Sequence, residues 1–194
     1  VLNKIAKKKK LKFYTIFQNR LNKSVQYVKK IIEKENVIFV DLSLIWSRPQ
    51  SYYQDWHGNW KLDGGVLAQQ GIHYVDLLIY LFGDPNKCIS LISNKVNKLQ
   101  AEDTHVSLIS FKKKGLSCTV NMSTAFRPRD FEASIKIYCK EKIINLAGLC
   151  CNTISIDKLF KKKISKSNIL RNFSEKVPSG YGLSHRKVFQ EIID

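Results

Sequence analysis

The sequence predicts an α+β fold in which a large, mainly antiparallel sheet carries helices on one face, and three observations lead there. Between Val66 and Phe82 the apolar residues (Val66, Leu67, Ile72, Val75, Leu78, Ile79, Phe82) recur at three- and four-residue steps, the period of an amphipathic helix. From Cys88 onward the period changes to alternation, in short segments bounded by turn residues, which is the pattern of strands. Those segments are joined by connections too short for a crossover, so neighbours must run antiparallel. A sheet covered on one side leaves apolar alternate positions open on the other, and such a face usually marks a subunit interface.

In chain order, Val1 to Lys10 reads as the end of a helix whose last turn is cationic, where the helix dipole favours positive charge. Lys12 to Phe17 is rich in β-branched and aromatic residues and is expected to be a strand. Asn22 or Ser24 can then cap a helix that turns Val25, Val28, Ile31 and Ile32 inward. Asn36 to Trp46 starts as a continuous apolar run and passes into alternation, as expected of a strand moving from a buried to a half-buried position. The helix of residues 66–82 is opened by the turn at Gly64-Gly65 and closed by Gly83 with Asp84-Pro85. The strand candidates behind it are Cys88–Lys95, Thr104–Phe111, Leu116–Met122, Ala133–Tyr138, Lys142–Leu146 and Cys150–Ile156. Lys112 to Gly115 and Lys140-Glu141 are the expected turns, Lys158 to Lys176 a polar, mobile excursion, and Arg186 to Asp194 the first turns of a closing helix.

Three stretches carry the chemistry. Gln69, His73 and Asp76 are spaced four and three apart, so on a helix they lie along one side. Spacing alone fits two readings: polar groups lining a cleft, or a hydrogen-bonded histidine at the rim of a core. The loop from Ser47 to Trp60 gathers Arg48, Tyr52, Tyr53, Trp56, His57 and Trp60. Aromatic faces can stack on a ligand's rings, and Arg48 can grip a carboxylate or phosphate with two parallel hydrogen bonds; the tryptophans can equally cover the edge of the core. In Phe126 to Asp130, Arg127 and Arg129 either meet a diphosphate or stand in solvent.

Composition excludes several classes. With 44% hydrophobic and 11% aromatic residues in 194, the chain folds rather than staying disordered. A net charge of +17 raises nucleic acid as a partner, but arginine, the residue whose planar fork reads bases and phosphates, occurs only six times among the 33 basic residues. A small anionic substrate is therefore expected, and no nucleic acid. No apolar run approaches the ~20 residues of a membrane span, and no signal peptide is recognisable, so no membrane partner and a cytoplasmic location are expected. The five cysteines lack metal-type spacing and are expected to be buried, reduced thiols, with no metal site.

The run Gly64 to Gly83, GGVLAQQGIHYVDLLIYLFG, resembles the signature of the glucose-fructose oxidoreductase / inositol dehydrogenase / MocA-like superfamily. Phe17 to Asn22, Trp46-Ser47-Arg48, Tyr52-Tyr53, Trp56 to Trp60 and Glu102-Asp103-Thr104 follow in the family's order. Gln69 stands where the general pattern has Asp, which is similar to the branch that oxidises C3 of UDP-N-acetylglucosaminuronate in surface-polysaccharide pathways. The resemblance implies an NAD- or NADP-dependent oxidoreductase acting on CH–OH groups, with residues 1–20 ending a dinucleotide-binding domain and residues 21–194 forming the substrate-binding and oligomerisation domain. It makes His73 the acid–base group, paired in the family with a lysine of a Glu-Lys-Pro motif. Gln69 would orient the sugar or the nicotinamide amide, Gln18 would touch the cofactor, and Asn19, Arg20, Arg48, Tyr53, Trp56 and Trp60 would touch a nucleotide-sugar. Asp76 would fix the imidazole tautomer or cap a turn. His57 departs from the arginine common in that branch. Homo-oligomers, dimers or tetramers, are implied through the open sheet face. Neither Gly-x-Gly-x-x-Gly nor Glu-Lys-Pro occurs in these residues, so the cofactor would be held mainly elsewhere, and the sequence reads as clipped at both ends. A non-catalytic sugar-binding or assembly module is the rival reading.

Overall fold

The computed structural model describes residues 1–112, 115–160, 163–164 and 168–193. Helices α1 (Leu2–Lys8), α2 (Lys23–Ile32), α3 (Ile72–Phe82) and α4 (His185–Ile193) accompany strands β1 (Val37–Ile45), β2 (Pro85–Ser93), β3 (Thr104–Phe111), β4 (Ser117–Ser123), β5 (Glu132–Cys139), β6 (Lys142–Ala147), β7 (Thr153–Phe160), β8 (Lys163–Ile164) and β9 (Asn168–Ile169). The strands form one sheet in the order β2-β3-β4-β1-β5-β6-β7-β8, with β9 paired to β7. Every pairing is antiparallel except β1 with β4. That exception has a topological cause: the chain leaves β1, runs through α3 and returns by β2 and β3, a connection long enough for a parallel partner. The α+β expectation thus holds, with a mixed sheet.

Alternation decides which side chains form the core. Val40, Leu42 and Leu44 of β1, Val120 of β4 and Ile135 and Ile137 of β5 are all fully buried, and Val25 and Val28 of α2 with Leu77 and Leu78 of α3 close over them. The opposite face is open. Ile89, Leu91, Val106 and Leu108 are exposed on its β2–β3 side, and Asp41 of β1 takes a hydrogen bond from Thr119 of β4 in its middle (2.5 Å). Helix α3 stops where the Gly83 N–H bonds Ile79 O (2.8 Å), with Gly83 at φ +86°, a conformation that suits glycine.

Four expectations are corrected. Lys12–Phe17 is irregular, because no strand among the described residues lies beside it to share a ladder. β1 is most exposed at its start, not its end: Phe39 lies on the open face, stacked on Tyr138 at 4.2 Å, and helix cover begins at Val40. The Cys150–Ile156 strand begins only at Thr153, since Cys151 takes φ +55° in the preceding turn. Among the cysteines, all unpaired, Cys88 is exposed because β2 is an edge strand. Burial pushes the thiols of Cys118, Cys139 and Cys150 up, to about 12, 11 and 11. The excursion from Lys158 includes β9 on β7, and Phe173 stacks on Tyr27 at 3.8 Å; Lys161, Lys162 and residues 165–167 lie outside the described residues, as do Lys113 and Lys114 of the predicted turn. Among the described residues no helix is long and apolar enough to cross a membrane.

Candidate functional site

The helix bearing His73 does not begin as a regular α-helix. Leu67–Gly71 forms a π-turn that leads directly into α3. Glu102 anchors its start: the Val66 N–H bonds Glu102 O (2.9 Å) and the Leu67 N–H bonds Glu102 Oε1 (3.2 Å). A π-turn places one more residue in the turn than an α-helix does, so side chains ahead of it fall out of the register that four-residue spacing predicts. Gln69 accordingly turns to Asp63, donating to Oδ2 at 2.5 Å, and Gln70 takes the position beside His73.

A cavity of about 320 Å³ lies at this end of the sheet, and His73, Gln70, Gln18, Asn19, Arg48 and Tyr52 line it. Trp46, Tyr74, Asp130, Leu149, Gly180 and Tyr181 complete the wall. Gln18 and Asn19 come from a short 3-10 turn, Gln18–Leu21, and both are buried; Asn19 Oδ1 has no partner among the described residues. Gln70 donates to the Tyr52 hydroxyl (3.3 Å). Arg48 lies over the rings of Trp46 (5.0 Å) and Tyr52 (5.7 Å), and its Nη1 donates to Asp130 Oδ1 (3.0 Å). Trp46 in turn meets Tyr74 edge-on at 6.2 Å. The wall is therefore rich in amides and aromatic faces.

His73 is half-buried, with Phe17 edge-on at 6.1 Å, and its Nδ1 is buried without a partner among the described residues. Burial lowers its pKa below the ordinary 6.5; Asp76 opposes that shift, and His185 adds to it. The imidazole is thus neutral near pH 7 and able to accept a proton.

Asp76 neither holds the imidazole nor caps a turn, the two roles expected for it; it pairs with Arg20. Its two oxygens receive Arg20 Nε (2.8 Å) and Nη2 (2.5 Å), and this paired carboxylate raises the arginine's own pKa. Arg20 consequently faces away from the cavity lining, over Tyr80 at 5.2 Å. The pair ties the Gln18–Asn19 corner to the helix carrying His73. Replacing Arg20 by Ala leaves the Asp76 carboxylate, only 7% exposed, without its counter-ion. Because Arg20 itself is 39% exposed, the expected loss is about 2 kcal/mol rather than the larger cost of a fully buried pair. Denaturant unfolding checks this, and an unchanged midpoint would contradict it.

The other predicted residues are dispersed. Tyr53 hydrogen-bonds Thr124 Oγ1 (2.8 Å) and supports the wall from behind, while its neighbour Tyr52 lines it. Trp56 and Trp60 are exposed outside the cavity, Trp56 stacked on His57 at 3.9 Å. His57 binds Asp55. Arg127 is spent on Thr124 O, Phe126 O and Asn97 Oδ1, so its loop contributes Asp130 instead. Sequence reading missed Gln70, Asp130 and Tyr181 as wall residues, and nothing local marked Gln70 or Asp130. Among the described residues no cluster of His, Cys, Asp and Glu is placed to hold a metal.

A family model for the GFO/IDH/MocA C-terminal domain matches residues 25–145. The solved WlbA dehydrogenase from Bordetella pertussis, in complex with NADH and UDP-GlcNAcA, is similar at 28% identity and TM-score 0.71, over 90% of this chain and 48% of its own. The WlbA dehydrogenase from Chromobacterium violaceum, with the same two ligands, is similar at 25% identity and TM-score 0.76, over 98% and 54%. Levoglucosan dehydrogenase in complex with NADH shares the fold at 15% identity and TM-score 0.68, over 79% and 45%. The chain thus spans about half the length of these proteins. Comparison with curated proteins found no match. With the model matched over more than half its length and the predicted sheet in place, the chain belongs to the GFO/IDH/MocA family and carries that family's C-terminal domain.

Proposed function

We propose that this chain is the substrate domain of an NAD-dependent oxidoreductase that oxidises a CH–OH group of a nucleotide-sugar, namely C3 of a UDP-N-acetyl-hexuronate for surface-polysaccharide synthesis. One observation carries the reading: a neutral, half-buried histidine opens into a cavity walled by amides and aromatic rings, in a chain similar to two dehydrogenases solved with NADH and UDP-GlcNAcA. His73 takes the proton of the C3 hydroxyl, and its depressed pKa keeps it ready to do so at neutral pH. NAD, when bound, supplies the hydride acceptor. Asn19 fits that cofactor's carboxamide, because its buried Oδ1 is an acceptor without a donor. Gln18 and Gln70 orient the sugar, and Trp46, Tyr52 and Tyr181 offer faces for the sugar or uracil ring. Gln69, Arg20, Tyr53, Trp56 and Trp60 act at most through these neighbours.

The test is turnover: with a nucleotide-binding domain of the family joined to it, the chain is expected to reduce NAD stoichiometrically with UDP-N-acetylglucosaminuronate oxidised. Binding of the sugar without turnover would favour the non-catalytic module. The chain by itself is expected to give no measurable heat with NAD, since it has no glycine-rich phosphate turn. Micromolar NAD binding in that titration would contradict the division of labour.

The exposed Ile89, Leu91, Val106 and Leu108 support self-association through the open sheet face. Leu91→Asp with Leu108→Asp is expected to convert oligomer to monomer in sedimentation; an unchanged mass would place the interface elsewhere.

A further inference from the structure

We propose that Asp130 is a specificity-determining residue of the cavity, setting how strongly it prefers an acidic over a neutral sugar by offsetting the charge of Arg48. This rests on the reading of the cavity as a nucleotide-sugar site. Among the described residues lining it, Arg48 and Asp130 are the only side chains charged at neutral pH, where His73 is neutral, so the wall contributed by this chain has almost no net charge. Asp130 is held beside Arg48 through one oxygen, Oδ1, which accepts the Ser47 backbone N–H (2.8 Å) and Arg48 Nη1 (3.0 Å). Arg48 is equally constrained. Its Nη1 also donates to Ser47 O (2.7 Å), and the guanidinium lies over Trp46 and Tyr52. What remains is Nη2 and Nε, which carry no hydrogen bond among the described residues.

A ligand carboxylate can therefore use only the free edge of the guanidinium, and it does so with Asp130 on the opposite edge. Two carboxylates on one arginine repel each other, and at a partly exposed site such repulsion is worth about a factor of ten in binding. The fixed arginine confers recognition of an acid, and the fixed aspartate limits its strength. Arg48 is 21% and Asp130 37% exposed, so the balance is sensitive to salt as well.

Asp130→Asn keeps an oxygen that can accept both hydrogen bonds and removes only the charge; Asp130→Ser is the second variant should the first fold poorly. UDP-glucuronate and UDP-glucose, which differ only in a carboxylate against a hydroxymethyl group, are titrated calorimetrically into the chain and each variant. Expected is a rise of about tenfold in the affinity ratio of acid to neutral sugar, because UDP-glucuronate gains more than UDP-glucose from the loss of the charge. Arg48→Gln is expected to abolish the preference for the acid. If both nucleotides bind and the ratio in the Asp130 variants stays within about twofold of the parent, the inference is overturned while the nucleotide-sugar reading stands. If neither nucleotide binds the parent chain, that reading fails and this inference fails with it.

Discussion

Replacing His73 by Asn in the chain joined to a nucleotide-binding domain of the family is expected to lower turnover by about 10²–10⁴, the usual worth of a positioned proton-transfer group, while leaving the melting temperature and the nucleotide-sugar affinity close to the parent's. Binding and rate separate because the imidazole is not tied into the fold among the described residues: its Nδ1 has no partner there, and its neighbour Asp76 is committed to Arg20. If His73 were instead a core residue, the same change would lower stability and affect binding and rate together. The pH profile gives a second readout. Burial depresses the His73 pKa, so the base stays deprotonated through neutrality and the acid limb of the rate is expected below pH 6.5, not at it. The same depression means that the unfolded chain binds this proton more readily than the folded one. Stability from this group is therefore present above the unfolded pKa and is lost as pH falls through and below about 6.5. His105, also depressed by burial, adds to the loss in the same direction.

Gly65→Ala is expected to destabilise the fold by about 3 kcal/mol, near the upper end of what overpacking usually costs. An added Cβ there would stand 2.0 Å from Glu102 Oε2 and 2.5 Å from the Glu102 backbone oxygen. The carboxylate can move, but the backbone oxygen is held because it accepts the Val66 N–H at the mouth of the π-turn (2.9 Å). Relief requires the turn to shift, and the shift carries Gln70 and His73 with it. Activity is therefore expected to fall further than the folded fraction alone would account for. Urea unfolding measures the first effect, and turnover per folded molecule the second. A variant as stable as the parent would contradict the claim that this contact sets the turn.

Much of the fold was legible because period is a local property. Alternation in residues 104–111 and 133–138 matches β3 and β5 to within a residue at each end, and the helical step of residues 66–82 matches the π-turn and α3. Where a neighbour decides, local reading failed. Lys12–Phe17 has strand composition but no adjacent strand, and Phe39 is apolar yet lies on the open face against Tyr138. The parallel β1–β4 pair depends on a long return path that no segment encodes by itself.

The site was legible to the same degree. His73, Gln18, Asn19 and Arg48 were assigned from motif and resemblance, and the fold gathers them around one cavity. Gln69 and Gln70 are chemically identical neighbours, and only the π-turn decides which one faces inward. Between Tyr52 and Tyr53 the choice is made by Thr124, which takes the Tyr53 hydroxyl. Arg20 looked like an anion anchor because its partner lies 56 residues away. Asp130 was invisible because its role depends on a loop between β4 and β5 reaching Ser47 and Arg48.

The most direct test is an NMR titration of the chain with UDP-N-acetylglucosaminuronate, following the imidazole signals of His73 and the indole N–H signals of Trp46, Trp56 and Trp60. His73 and Trp46 are expected to shift together along one saturable curve, while Trp56 and Trp60, outside the cavity, stay in place. Shifts confined to Trp56 and Trp60, or a His73 signal unmoved at saturation, would contradict it.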